Sequence, residues 1–98
     1  IMTDDRADNA IVRELKILNK KGLHARASAK FVQCVDRFEA EVFVLKDGQS
    51  VLGTSIMGLM MLAAGIGSSI EVRAAGSDAE AAIEAIAALV NDRFGEGE

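Results

Sequence analysis

The sequence predicts an α+β fold, an open-faced β-sandwich in which one four-stranded antiparallel sheet carries three helices on one face. Three observations predict it. Four short runs suit strands, three segments repeat apolar residues at helical spacing, and the two kinds follow one another as β-α-β-β-α-β-α. Ninety-eight residues suffice for one domain with its own core and are few for two. Half of them are hydrophobic, with no proline or tryptophan and four phenylalanines, so the core must be mostly aliphatic.

Residues 1–10 read as a flexible, polar leader, residues 11–94 as the domain and residues 95–98 as a tail. Ile11 to Leu18 alternates as a strand, with Leu15 and Ile17 on one side and Glu14 and Lys16 on the other. Asn19 to Leu23 is a loop in which Gly22 supplies backbone freedom just before His24. From Ala25 to Phe38 the residues Ala27, Phe31, Cys34, Val35 and Phe38 form one apolar helical stripe, beside a polar row of Arg26, Lys30, Gln33 and Arg37. His24 falls at the N-cap of that helix.

Glu41 to Lys46 is the second strand, with Val42 and Val44 inward. Asp47-Gly48 is a hairpin turn signal, because a type I′ turn needs positive φ at both central residues. Gln49 to Gly53 returns, with Val51 inward. A short helix follows from Ser55 to Leu62, capped by Thr54 or Ser55 and ended by Gly65 and Gly67. Ser69 to Ala74 is the fourth strand. Ser77-Asp78-Ala79-Glu80 has the form of a capping box and opens a last helix reaching Arg93.

The formal charge of −4 belongs to the chain ends: between residues 10 and 95 ten acids balance ten bases. That balance argues against a broad nucleic-acid footprint. One cysteine rules out an internal disulfide, and one cysteine with one histidine leaves no metal site of the usual kinds. Cys34 sits on the apolar stripe, where an inert buried thiol is expected. Residues 48–70 lack charge, but five glycines and four serines break them up, so no membrane insertion is expected. The polar, acidic start shows no secretory signal, which points to the cytoplasm.

The chemistry gathers at Gly22 to Phe38. Lys20, Lys21, Arg26 and Lys30 surround the single histidine, and no acid lies between residues 20 and 30. A histidine at such a place can be a bland solvent-exposed cap. It can also be a nucleophile that takes up a phosphoryl group. The helix start offers unpaired N–H groups and positive partial charge. These disfavour a cationic imidazole before reaction and favour a phosphate dianion after it. Arg26 could pair with the phosphate oxygens. No Walker loop, Ser-His-acid pattern or dinucleotide glycine spacing competes.

Gly22-Leu23-His24-Ala25-Arg26, followed by Ser55-Ile56-Met57-Gly58-Leu59-Met60, resembles HPr, the histidine-containing phosphocarrier family of the phosphoenolpyruvate-dependent phosphotransferase system. The resemblance spans residues 11–94. It implies a carrier with no cofactor, not an autonomous enzyme, in which enzyme I phosphorylates His24 at Nδ1 and an enzyme IIA domain receives the group. Arg26 would be the second active-centre residue. Ser55 would be a regulatory site for HPr kinase/phosphorylase, where that enzyme exists. Ala25, Arg26, Ala29, Ile56, Met57 and Met60 would form the docking face, although the spacing of Ile56, Met57 and Met60 also suits a core. The family commonly has proline where Ala27 stands, and enteric relatives carry basic residues where Gln33 and Asp36 stand. A nitrogen-type regulatory role, or co-regulation of a transcription factor mainly through Ser55, is the alternative to sugar uptake.

Overall fold

The computed structural model describes residues 10–97. Strand β1 (Ile11–Lys16), helix α1 (Ala25–Val35), β2 (Glu41–Lys46), β3 (Gln49–Leu52), α2 (Ile56–Met61), β4 (Ser69–Ala75) and α3 (Ala79–Asn91) follow in the expected order. A 3-10 turn at Arg93–Gly95 follows α3. The sheet runs β1-β4-β2-β3 with every pair antiparallel. In its register Leu15 lies opposite Ile70, Val44 opposite Val72, and Val42 opposite Ala74. Side chains directly opposite share a face, so this register gathers one apolar face, and the helices cover it. Val44, Val72, Ile83, Ile86 and Phe31 are among its fully buried side chains. Burying one such aliphatic side chain stabilises the fold by roughly 1.5–3 kcal/mol.

Helix α1 buries the expected stripe of Ala27, Phe31, Cys34 and Val35. It ends at Val35 rather than Phe38, because the bonds tighten there: Arg37 N–H donates to Cys34 O and Phe38 N–H to Val35 O. Apolar periodicity persists through such a turn, which is why the sequence overstates the helix. Asp47 and Gly48 both take positive φ, at 51° and 82°, as the hairpin requires.

Two further terminus signals resolve differently. Helix α2 is ended by Ala63 in the left-handed region at φ 54°, not by Gly65 or Gly67. That turn sends the Ala64 carbonyl back to accept from Leu23 N–H at 3.0 Å. Leu59 of α2 and Leu62 at its C-cap are core, whereas Met61 is exposed. The capping box at Ser77 is not formed, and Asp78 is the N-cap of α3 without capping it by its side chain. The Asp78 carboxylate instead accepts from Glu39 N–H at 2.7 Å, while Asp78 N–H donates to Glu39 O at 3.0 Å. This paired clamp to the loop before β2 takes the oxygen that a cap would use.

Among the described residues no helix is long and apolar enough to cross a membrane.

Candidate functional site

The loop between β1 and α1 is built before the helix starts. Asn19 is fully buried and its amide donates to Gly22 O at 2.8 Å, while Gly22 O also accepts from His24 N–H at 2.9 Å. Gly22 has φ +66°, and a Cβ on it would overlap the Ala64 carbonyl and lie 2.8 Å from Gly65 Cα. Only glycine permits this approach. Ser28 lies buried in the first turn and its hydroxyl donates to Leu23 O at 3.1 Å. The strand end, the helix start and the exit of α2 are thus fastened at Gly22 and Leu23, with His24 next in the chain.

His24 is the N-cap of α1, in extended conformation, and its side chain makes no capping hydrogen bond. The amides of the first turn are therefore not taken up by the ring. Its Nε2 meets a carboxylate oxygen of Glu96, a residue that composition consigns to the tail. The other Glu96 oxygen accepts from the Asn19 amide at 3.1 Å. Phe94, fully buried, anchors this segment, and Lys30 Nζ donates to its carbonyl at 2.7 Å. A carboxylate can only accept, so Nε2 carries a proton and the lone pair of a neutral ring lies on Nδ1.

Around the ring lies an open cleft of about 580 Å³ lined by Lys21, His24, Ala25, Arg26, Lys30 and Glu96. His24 retains 27 % side-chain exposure, enough for a partner to reach it, and Glu96 keeps 15 %. Burial pushes the Glu96 carboxyl up, but hydrogen bonds from His24 and Asn19 and the charges of His24 and Lys21 outweigh it and hold it below its usual range. The folded value being lowered, the docked segment gains its full stabilisation above the usual glutamate range and loses it as pH falls through the lowered value. Amide chemical shifts of Gly95 and Gly97 followed down from pH 7 should report undocking with a midpoint below that of an unstructured glutamate. A midpoint at or above the ordinary value would contradict the pairing.

Arg26 is exposed and has no hydrogen-bond or ion-pair partner among the described residues, which leaves its guanidinium available to an anion. Cys34 is buried, and that burial pushes its thiol up against the smaller opposing effect of Arg37.

The other expected residues lie on the neighbouring surface. Ala25 is exposed and Ala29 half-buried on α1; Ile56, Met57 and Met60 are exposed on α2, at 40, 69 and 40 %. Helices α1 and α2 pack together. Ser55 is the N-cap of α2, and its hydroxyl accepts from Gly58 N–H at 2.9 Å. Asn19 and Glu96 were not anticipated. Asparagine in a loop carries no distinctive signal, and Glu96 is separated from His24 by 72 positions, so only the fold brings them together.

A family signature described as the PTS HPr component phosphorylation site matches residues 11–92. The phosphocarrier protein HPr of Cupriavidus necator is 50 % identical over 86 residues, 88 % of this chain and 97 % of that protein. The phosphocarrier protein NPr of Shewanella violacea is 40 % identical over 84 residues, 86 % of this chain and 92 % of its own length. The crystal structure of HPr-C-His from Thermoanaerobacter tengcongensis superposes with a TM-score of 0.84 at 41 % identity, covering 88 % of this chain and 97 % of that one. Identity at this level, carried across nearly the whole domain and matched by the same fold, places the chain in the HPr family, the phosphocarrier proteins of the phosphotransferase system.

Proposed function

We propose that this HPr-family protein accepts a phosphoryl group on Nδ1 of His24 from phospho-enzyme I and passes it to an enzyme IIA domain. The observation that carries the reading is the ring itself, capped at Nε2 by an acceptor-only carboxylate and set at the N-terminus of an 11-residue helix. In the forward step the Nδ1 lone pair forms the N–P bond and the donor leaves with its electron pair. The phosphate dianion then lies against the first-turn amides, the positive helix terminus and Arg26. Lys21 and Lys30 add to the positive potential of the cleft. In the second step the acceptor attacks phosphorus and the N–P electrons return to the ring. Incubation with phosphoenolpyruvate and cognate enzyme I should give an acid-labile, alkali-stable phosphate at one equivalent per chain. An unlabelled wild type would remove the carrier reading.

Partners would dock over Ala25, Arg26 and Ala29 of α1 and Ile56, Met57 and Met60 of α2. Exposed methionines suit a surface that must fit more than one partner. Phosphorylation of Ser55, by HPr kinase/phosphorylase where present, would put a charge of about −2 beside this apolar patch and oppose its desolvation. Ser55→Asp should therefore slow phosphotransfer from enzyme I by about tenfold, read as a rise in KM; unchanged kinetics would exclude a regulatory role for this position. In the alternative, nitrogen-type role the His24 chemistry is the same and the partners differ. Gln33 and Asp36, both exposed on or beside α1, are the residues through which that choice would act. Competition between acceptor domains for the phosphorylated protein separates the two roles.

A further inference from the structure

We propose that Glu96 is a positioning residue that holds the proton of His24 on Nε2 and so confines phosphorylation to Nδ1. The proposal deepens the carrier reading and rests on it for its purpose. Four observations converge on Glu96. One of its carboxylate oxygens meets Nε2 and the other accepts from Asn19 Nδ2 at 3.1 Å, so the carboxylate is fixed at both ends. Asn19 is itself fully buried and tied to Gly22 O, and the backbone that carries Glu96 is pinned by buried Phe94 and by the Lys30–Phe94 O bond. Arg26, which shares the cleft, has no partner among the described residues, so Glu96 is directed at the ring rather than at that guanidinium.

An exposed imidazole has two nucleophilic edges, and Nε2 is the less crowded one. Attack from Nε2 would first require its proton to move to Nδ1 and the carboxylate to withdraw. With Glu96 in place neither happens. When Nδ1 attacks, the N–P bond forms, the donor keeps the electron pair it released, and the ring becomes a phosphoimidazolium that still carries its Nε2 proton. The Glu96 carboxylate is the counter-charge to that cation on the edge of the ring opposite the phosphate. On transfer the ring departs as neutral imidazole, and no proton need enter or leave the site. The charged groups sharing the cleft are Lys21 from the loop, Arg26 and Lys30 from α1, and Glu96. The three cations favour the phosphate, and Glu96 alone favours the ring cation.

Potassium phosphoramidate tests this without a partner protein. Nδ1 or Nε2 displaces ammonia from phosphorus, and 15N and 31P spectra tell the two phosphohistidines apart. The wild type should give the Nδ1 product. Glu96→Ala should raise the Nε2 share by about tenfold or more, the equivalent of losing a charge-assisted hydrogen bond. Glu96→Gln, whose amide oxygen can still accept, should restore most of the Nδ1 preference. It should nevertheless move the alkaline limb of the dephosphorylation pH profile downward by about one pH unit, because the counter-charge is gone. If Glu96→Ala and Glu96→Gln both give the wild-type product and the wild-type pH profile, the proposal is overturned. Because phosphoramidate bypasses enzyme I, failure here is separate from failure of the carrier reading, which the enzyme I labelling alone decides.

Discussion

Replacing His24 with alanine is expected to abolish all acid-labile phosphate after incubation with phosphoenolpyruvate and enzyme I, while the protein stays folded. The chain contains one histidine, so a phosphoimidazole has no second place to form. The structural consequence should be small. The ring caps no amide, and the first backbone bond of the helix, Ser28 N–H to His24 O at 2.8 Å, does not involve it. What is lost is the ring's part-exposed contact with the Glu96 carboxylate, so the destabilisation should be about 1–2 kcal/mol. Circular dichroism and the thermal midpoint check the fold, and radiolabel with acid and alkali treatment checks the chemistry. Acid-labile label surviving in this variant would place the phosphate elsewhere and overturn the assignment. Arg26→Ala makes the graded comparison. It should slow transfer by about tenfold or more through the loss of a charge-assisted contact to the phosphate, without abolishing it.

Gly22→Ala should destabilise the domain by at least about 2 kcal/mol, through a left-handed backbone and a collision with another segment at once. At φ +66° the added methyl would meet the Ala64 carbonyl and Gly65 Cα, which are main-chain atoms and cannot rotate aside as a side chain could. For a domain of this size that loss lowers Tm by about 8–16 °C. Gly65→Ala is the matched control: a Cβ there meets nothing within 4 Å, and the variant should melt near the wild type. Gly22→Ala should also impair phosphotransfer beyond what its stability explains, since Gly22 O holds both the Asn19 amide and the His24 N–H. Urea denaturation of the pair reads the first effect, and kcat/KM with enzyme I, measured well below Tm, reads the second. Equal midpoints for the two variants would show that the loop adapts.

What the sequence makes legible divides along a physical line. Strand and helix identities follow from local periodicity, and β2 was readable to the residue because a turn with two positive-φ positions fixes where it ends. Helix termini were less so. Ala63 takes the left-handed conformation that glycine was expected to supply, because the carbonyl of Ala64 has to reach Leu23. The cap expected at Ser77 falls instead at Asp78, whose carboxylate is taken by a clamp on Glu39, a residue 39 positions away. Both are long-range demands that no local window contains. The same holds at the site: His24 and Arg26 announce themselves by type and spacing, whereas Asn19 and Glu96 join them through the closing of the chain onto the loop after β1.

That closure decides where this protein can be handled. Strand β1 enters at Ile11, paired with Ala74, and runs toward Lys16 and the loop bearing His24, so its start is at the far end of the sheet from the ring. Any affinity tag, fluorophore or immobilising linker appended after Glu98, by contrast, would be separated by only two residues from the glutamate that touches His24. Cargo attached before Ile11 should leave donor and acceptor access intact. The same cargo at the other end would crowd the His24 cleft, over which donor and acceptor are proposed to dock.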